Sequence, residues 1–329
     1  MTPDPYPRII TTFEPTEKNH FPLLLQLGVL VLILVGIFGA LFFTSGQTQL
    51  VNEQLPGPVP NSIVTADSVP QKIAEVQITG AAGYVWDVKG QRALYTKNHE
   101  QELPLASITK LMTALLAYEL IEQDQPATVS VNAIRQEGSF GLSVGEQFDI
   151  QQLTQLALIE SSNDAAYELA ASVGGLLGEQ DGASQFVTGM NIRADELGLQ
   201  SLDFKNMTGL DISLNQPGAA GNAKDVSFLM EYILTNYPQI LTPTQKASAR
   251  VYNSTGQYHD VENTNQIVNR IPNLLGSKTG YTDLAGGNLT VAFDIGLDRP
   301  IIITVLGSTR EERFNDVLKL VAAVQSSIE

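Results

Sequence analysis

Hydrophobic and polar positions divide the chain into four zones. Residues 1–20 mix prolines with charges of both signs and show no apolar period, the pattern of a disordered tail. From Phe21 to Phe43 there are 23 residues without a charge, and Gln26 is the single strongly polar side chain among them. As a helix this run would be about 34 Å long, enough for a hydrocarbon core of about 30 Å. Its exit, Leu41-Phe42-Phe43-Thr44-Ser45, lacks the small-x-small pattern of a cleavage site, so an uncleaved transmembrane signal anchor is predicted. Arg8 and Lys18 precede the span and the next basic residue is Lys72. That asymmetry puts the N-terminus inside, with residues 1–20 as a cytoplasmic tail, and everything after residue 43 outside. Residues 44–73 carry Pro56, Pro58, Pro60 and Pro70 among polar side chains, a linker that could reach roughly 90 Å at about 3 Å per residue. The folded domain, 74–329, begins near Ile73.

Within that domain the periods change twice. Gly83–Val88 and Arg92–Thr96 read as strands around the turn Lys89-Gly90-Gln91. A helical run follows Ala106, and Thr128–Val131 reads as a short strand. Asp149 is placed to cap a helix over 150–159, which breaks at Glu160-Ser161-Ser162 and resumes with Asn163-Asp164 through Ala171. Further helices are expected at 183–197 and 223–236. After Gly280 come two apolar strands, Leu289–Phe293 and Ile301–Leu306, and then an amphipathic helix over about 310–327. Strands, then helices, then strands predict one sheet built from both ends of the domain with a helical middle.

Composition narrows the chemistry. With 19 basic and 35 acidic residues the net charge is −16, which argues against a nucleic-acid partner because phosphate contacts need a basic face. There are no cysteines and three histidines, none in a His-x-x-x-His pair, so no metal site and no cofactor are expected.

The candidate chemistry begins at Pro104-Leu105-Ala106-Ser107-Ile108-Thr109-Lys110. Pro104 resists joining a helix from upstream, so the helix should start near Ala106 or Ser107. Ser107 and Lys110 then share a face, a hydroxyl beside an amine that could serve as its base if held neutral. Alone, Ser-x-x-Lys is a weak signal, and the bland reading is a solvated lysine behind an N-cap serine. Ser161-Ser162-Asn163 follows 54 residues later, in a break between helices that exposes its side chains. Lys278-Thr279-Gly280 lies 117 residues beyond Ser161, at the entrance to an apolar strand. A lysine, a threonine hydroxyl and strand N–H groups together suit a carboxylate, and Gly276 and Gly280 allow close approach.

Ser-x-x-Lys, Ser-x-Asn and Lys-Thr-Gly in this order are the motif set of penicillin-binding proteins and class A β-lactamases. The chain resembles the low-molecular-mass penicillin-binding proteins, the serine D-alanyl-D-alanine carboxypeptidases, over most of residues 80–325. Phe186-Val187, Met190-Asn191, Ala194, Leu197-Gly198-Leu199, Phe204-Lys205-Asn206 and Gly209-Leu210 look like that family's middle segment. Asn263-Thr264-Asn265 and Gly276–Asp283 with Ala285-Gly286 and Asn288-Leu289 look like its third motif and flanks. The resemblance implies an α/β (α+β) fold of the β-lactamase/transpeptidase type, an antiparallel sheet flanked by helices with an all-helical subdomain. It also implies roles. Ser107 is the nucleophile and Lys110 its base, with Lys278 nearby lowering the pKa of Lys110. Ser161 relays a proton, and Asn163 holds substrate and Lys110. Lys278 and Thr279 bind the terminal carboxylate beside Gly280, and the N–H groups of Ser107 and Tyr281 receive the oxyanion. Peptidoglycan stem peptides are the implied substrates and β-lactams the implied inhibitors. Two residues depart from the pattern: Ser162 stands where many relatives have glycine, and Tyr281 where some have histidine.

The expected function is removal of the terminal D-alanine of stem peptides at the outer face of a bacterial cytoplasmic membrane. Endopeptidase action on D-alanyl-meso-diaminopimelate-type cross-links uses the same constellation. A β-lactamase and an inactive peptidoglycan-binding protein are weaker alternatives, because Ser107, Lys110 and Lys278 are all present and Asp211-Ile212-Ser213-Leu214-Asn215 reads as a loop. Gly141-Leu142-Ser143-Val144-Gly145 formally matches a nucleophile elbow but lacks the strand that such an elbow follows. The oligomeric state is left open.

Overall fold

The apolar runs from the two ends of the domain lie side by side. In the computed structural model, which describes residues 72–73, 76–138, 141–178, 181–296 and 298–327, β1 (Ala82–Asp87) and β2 (Arg92–Lys97) form the predicted hairpin. The chain continues through β3 (Leu103–Pro104), a 3₁₀ turn over Ala106–Thr109, α1 (Lys110–Leu120), β4 (Pro126–Thr128) and β5 (Gln147–Asp149). Then come α2 (Ile150–Ile159), α3 (Asn163–Gly174), α4 (Gly182–Glu196), β6 (Asp203–Phe204), β7 (Ala219–Gly221), α5 (Ala223–Asn236) and α6 (Pro238–Leu241). The last third holds β8 (Ser248–Tyr252), β9 (Tyr258–Glu262), β10 (Leu274–Thr282), β11 (Gly286–Asp294), β12 (Pro300–Ser308) and α7 (Glu312–Ser326). The tail, the span expected at 21–43 and nearly all of the linker lie outside the described residues. Among the described residues no helix is long and apolar enough to cross a membrane.

The main sheet is antiparallel, in the order β10-β11-β12-β1-β2. Its alternation sorts two cores. Ile302 and Leu306 of β12, with Ala82, Tyr84 and Trp86 of β1, face the cluster that contains α5 and the helical middle. Ile301, Ile303 and Val305, with Val85, Val291 and Phe293, face Phe314, Val317, Leu320, Val321 and Val324 of α7. Each such side chain contributes about 1.5–3 kcal/mol when fully buried. Polar groups inside are paired: Thr304 Oγ1 lies 2.8 Å from both Ser227 and Thr290 hydroxyls. Asp316 of α7 accepts from the backbone N–H of Thr79 and Gly80 at 2.8 and 2.9 Å, which pins the start of the domain.

Two expectations shift. The strand expected at Thr128–Val131 sits at Pro126–Thr128, paired with β5; Val129 still exchanges backbone bonds with Gly145 and Glu146 at 2.9 and 2.8 Å, and the chain then leaves for a turn held by Glu168 on Ser130 N–H at 2.8 Å. The helical side is not purely helical, since it also carries the β4–β5 and β8–β9 pairs. The helix over 150–159 is as predicted, and Asp149 and Gln152 exchange side-chain-to-backbone bonds in a capping box.

Candidate active site

Ser107, the expected nucleophile, sits in a turn rather than in a regular helix. Ser107 and Lys110 bracket the 3₁₀ turn that precedes α1, where side chains at i and i+3 eclipse. The turn is held from two sides. Leu105 N–H donates to Ala219 O at 3.0 Å. Asn288 Nδ2 of β11 donates to the carbonyls of Pro104 and Leu105 at 2.9 and 3.0 Å. Ala106, with φ +48°, is a strained residue directly before the nucleophile.

Lys110 is fully buried, and its amine meets three oxygens. It donates to Asn163 Oδ1 at 2.7 Å and to Thr208 O at 2.9 Å, and it lies 2.8 Å from Ser107 Oγ. A neutral amine has two N–H bonds and one lone pair. The two carbonyl oxygens take the two N–H groups, which leaves the lone pair for the Ser107 hydroxyl. The Thr208 carbonyl was not legible as a site group. It is presented by Asn206, whose Oδ1 accepts from Thr208 N and Gly209 N at 3.1 and 2.7 Å. Gly209, at φ +79°, passes so close that a Cβ there would meet Ala106 O.

Ser161 occupies the predicted helix break at φ +68°, again a strained residue that bears a reactive group. Ser162, buried, has a plain role: its Oγ accepts from Ala165 N–H at 3.1 Å as the N-cap of α3. Asn163 is fixed at both ends of its amide, with Nδ2 donating to Glu137 O at 2.7 Å.

The third motif faces these groups from the sheet. Lys278, Thr279 and Gly280 lie inside β10 rather than ahead of an apolar strand. β10 is an edge strand paired only with β11, so alternate N–H groups on its other edge have no strand partner; that of Ser277 donates to Thr244 Oγ1 at 2.9 Å. Lys278 Nζ donates to Ser161 Oγ at 2.8 Å and to Thr279 O at 2.9 Å. Thr279 Oγ1 lies 2.6 Å from Thr264 Oγ1. Gly280 is required, because a Cβ would stand 2.7 Å from Leu105 O. Tyr281 is exposed, with the Arg310 guanidinium 4.8 Å from its ring centre. Thr282 and the backbone of Leu284 both donate to Asp211, which anchors the following turn at 3.0 and 3.2 Å. The Asp211 segment is thus a loop with a tether.

Arg313 was missed by sequence reasoning. Its buried guanidinium donates to Gly280 O at 2.7 Å, and its Nε has no hydrogen-bond partner among the described residues. The available signal was a cation in the first turn of a helix, where the dipole disfavours it.

Burial sets the electrostatics. It lowers the Lys110 amine to about 7. Lys278 is held well below its ordinary value by burial and then by the charges of Lys110 and Arg313, and the repulsion between the two lysines acts on both. Arg313 is itself lowered to about 10, mainly by burial. Beside the break, burial raises the Glu160 carboxyl to about 7. Six of the predicted residues therefore converge: Ser107, Lys110, Ser161, Asn163, Lys278 and Thr279, with Gly280 and Tyr281 continuing the strand. Among the described residues no group of histidines and carboxylates could hold a metal ion.

Residues 67–310 match a protein family described as D-alanyl-D-alanine carboxypeptidase. The chain is 31% identical over 235 residues to D-alanyl-D-alanine carboxypeptidase DacF of Bacillus subtilis, covering 70% of this chain and 58% of that relative. It is 29% identical over 239 residues to a D-alanyl-D-alanine endopeptidase of Pseudomonas aeruginosa, covering 70% and 72%. Among solved structures, penicillin-binding protein D2 of Listeria monocytogenes in its cefotaxime-bound form aligns with a TM-score of 0.66 at 28% identity, covering 76% of this chain and 99% of that one.

Proposed function

The chain belongs to the D-alanyl-D-alanine carboxypeptidase family, and from that membership we propose that it is a serine peptidase that removes the terminal D-alanine of peptidoglycan stem peptides. The observation that carries this reading is the Lys110 amine, whose N–H groups are taken by carbonyl oxygens at 2.7 and 2.9 Å so that its lone pair faces Ser107. Ser107 Oγ attacks the carbonyl between the two D-alanines while its proton passes to Lys110 Nζ, 2.8 Å away. The carbonyl oxygen becomes an oxyanion, received by the N–H groups of Ser107 and Tyr281. Collapse breaks the C–N bond, and the leaving amine takes its proton through Ser161, which Lys278 holds at 2.8 Å. Asn163 keeps Lys110 in place and meets the substrate. The terminal carboxylate lies against Lys278 and Thr279, and its charge favours a protonated Lys278 where burial and the neighbouring Lys110 and Arg313, when charged, disfavour one. Water then attacks the ester, with Lys110 again the base, and releases the shortened peptide. A β-lactam follows the same first step and leaves a longer-lived ester on Ser107.

Mass spectrometry of the products from pentapeptide and cross-linked muropeptides tests this, with Ser107→Ala as the control. Loss of one terminal alanine, absent in the variant, is the expected result. A cut cross-bridge with the pentapeptide end untouched makes the protein an endopeptidase, the reading favoured by the Pseudomonas aeruginosa relative of that name. Uptake of labelled penicillin by Ser107→Ala would falsify the nucleophile assignment.

We further propose that residues 21–43 anchor the protein in the bacterial cytoplasmic membrane with the catalytic domain outside. The support is the uncharged run and the position of Arg8 and Lys18 before it. Protease added to intact spheroplasts should remove the domain; full protection would reverse the orientation.

A further inference from the structure

We infer that Thr264 is a positioning residue for the substrate's terminal carboxylate: its hydroxyl decides whether Thr279 offers that anion a proton or a lone pair. The inference rests on the reading above, in which Thr279 meets the carboxylate.

Hydroxyl bookkeeping carries it. Each threonine hydroxyl has one proton to donate and two lone pairs to accept with. Thr264 Oγ1 and Thr279 Oγ1 stand 2.6 Å apart, so one must donate to the other. Among the described residues Thr279 Oγ1 has no second hydrogen-bond partner, whereas Thr264 Oγ1 also has the carbonyl of Ile159 at 3.4 Å. Two arrangements are therefore open. In the first, Thr279 donates to Thr264, and Thr264 donates weakly to Ile159 O. Thr279 then shows the cleft only lone pairs, which repel an anion. In the second, Thr264 donates to Thr279, and the Thr279 proton is free for the cleft. A carboxylate selects the second arrangement, and the bond from Thr264 polarises the Thr279 hydroxyl into a better donor.

The placement of Thr264 is firm. Asn263 Nδ2 donates to Thr244 O and Lys246 O at 2.8 and 2.9 Å, and its Oδ1 accepts from Asn265 N–H at 2.8 Å. Asn265 Nδ2 donates to Ser277 Oγ of β10 at 3.0 Å. Thr264 N–H itself donates to Ile159 O at 3.1 Å, at the last residue of α2 and two before Ser161. Thr264 thus touches both walls of the cleft: the helix end that leads into Ser161, and the strand that carries Thr279. Valine at this position keeps the shape and removes the hydroxyl, while serine keeps the hydroxyl.

A matched pair of D-alanyl thioesters tests the inference on the full-length protein, one with a leaving group that ends in a carboxylate and one without. Thr264→Val should raise KM for the carboxylate substrate by about three- to tenfold, the worth of one hydrogen bond. It should change kcat by less than about twofold and leave the uncharged thioester within about twofold. Thr264→Ser should return KM toward the wild-type value. An equal loss on both thioesters marks a merely structural residue and overturns the inference, as does an unchanged KM on both. A wild-type protein that cleaves neither thioester overturns the functional reading itself and this inference with it, an outcome distinct from the other two.

Discussion

Two buried lysines face each other across the cleft, each 2.8 Å from a serine hydroxyl, and they are not equivalent. Lys110 rises from the helical side, where carbonyl oxygens from two other segments absorb its N–H groups. Burial lowers it to about 7, so near neutrality it is poised between acid and base. Lys278 comes from the edge of the sheet and donates to the carbonyl of its own neighbour, Thr279, besides Ser161. Two other cations, Lys110 and Arg313, press on it in addition to burial. The difference teaches that distance to a hydroxyl does not define a lysine's task. Its other partners do: oxygens that orient a lone pair suit a base, whereas crowded cations suit a seat for an anion.

The comparison breaks most readily at Lys110. Lys110→Gln should slow acylation of Ser107 by labelled penicillin on the order of 10³-fold; retention of more than a tenth of the rate would remove Lys110 from the role of base. Lys278→Gln removes charge-assisted bonding and should lower kcat/KM on carboxylate-ended peptides by roughly 10²-fold, with a smaller effect on an uncharged ester. If the two variants fall equally on both substrates, the division of labour is wrong. The pH profile sharpens the contrast. The base must be neutral, so the acylation rate should rise about tenfold per pH unit below about 7 and level off above it. A profile flat between pH 5 and 8 would contradict a lysine lowered to that value. The smallest effect is structural. Asn288→Ala leaves two carbonyls of the nucleophile loop without their shared donor and Gly307 N–H without its acceptor. It should cost about 2 kcal/mol, read as a fall of about 4–8 °C in Tm, while acylation drops by less than about tenfold.

Much of this was legible in the chain. Asp149 announced the start of α2, and the break at Glu160-Ser161-Ser162 stood out because the helical period stops there. The three motifs converged as their order implied. What escaped is instructive. β10 reads Leu-Leu-Gly-Ser-Lys-Thr-Gly-Tyr-Thr, with little apolar alternation, because its buried polar face lines a cleft rather than a core. β8 and β9 escaped for a related reason, since Tyr252, Tyr258, Arg250 and Asp260 pair on an exposed face. Thr208, Thr264 and Arg313 reach the site through contacts that span much of the chain, which no local pattern records. The depth of burial of Lys110 and Lys278 escaped as well: a sequence shows which charges are present, but only the fold shows how far each is removed from water.

β1 lies beside β12 in the sheet, with Ala82 opposite Leu306, partners 224 positions apart (306 − 82). A ribosome delivers the chain from one end, so the hairpin of β1 and β2 waits with an unpaired edge until β12 has been made. The strand that carries Lys278 is joined to β1 only through β11 and β12, so it too waits for that closure. Non-local pairing of this kind folds slowly, because the closure entropy falls due before the contacts form. Under the proposed function the nascent polypeptide is therefore inactive until that closure, because Ser107 is translated well before the strand that completes its cleft.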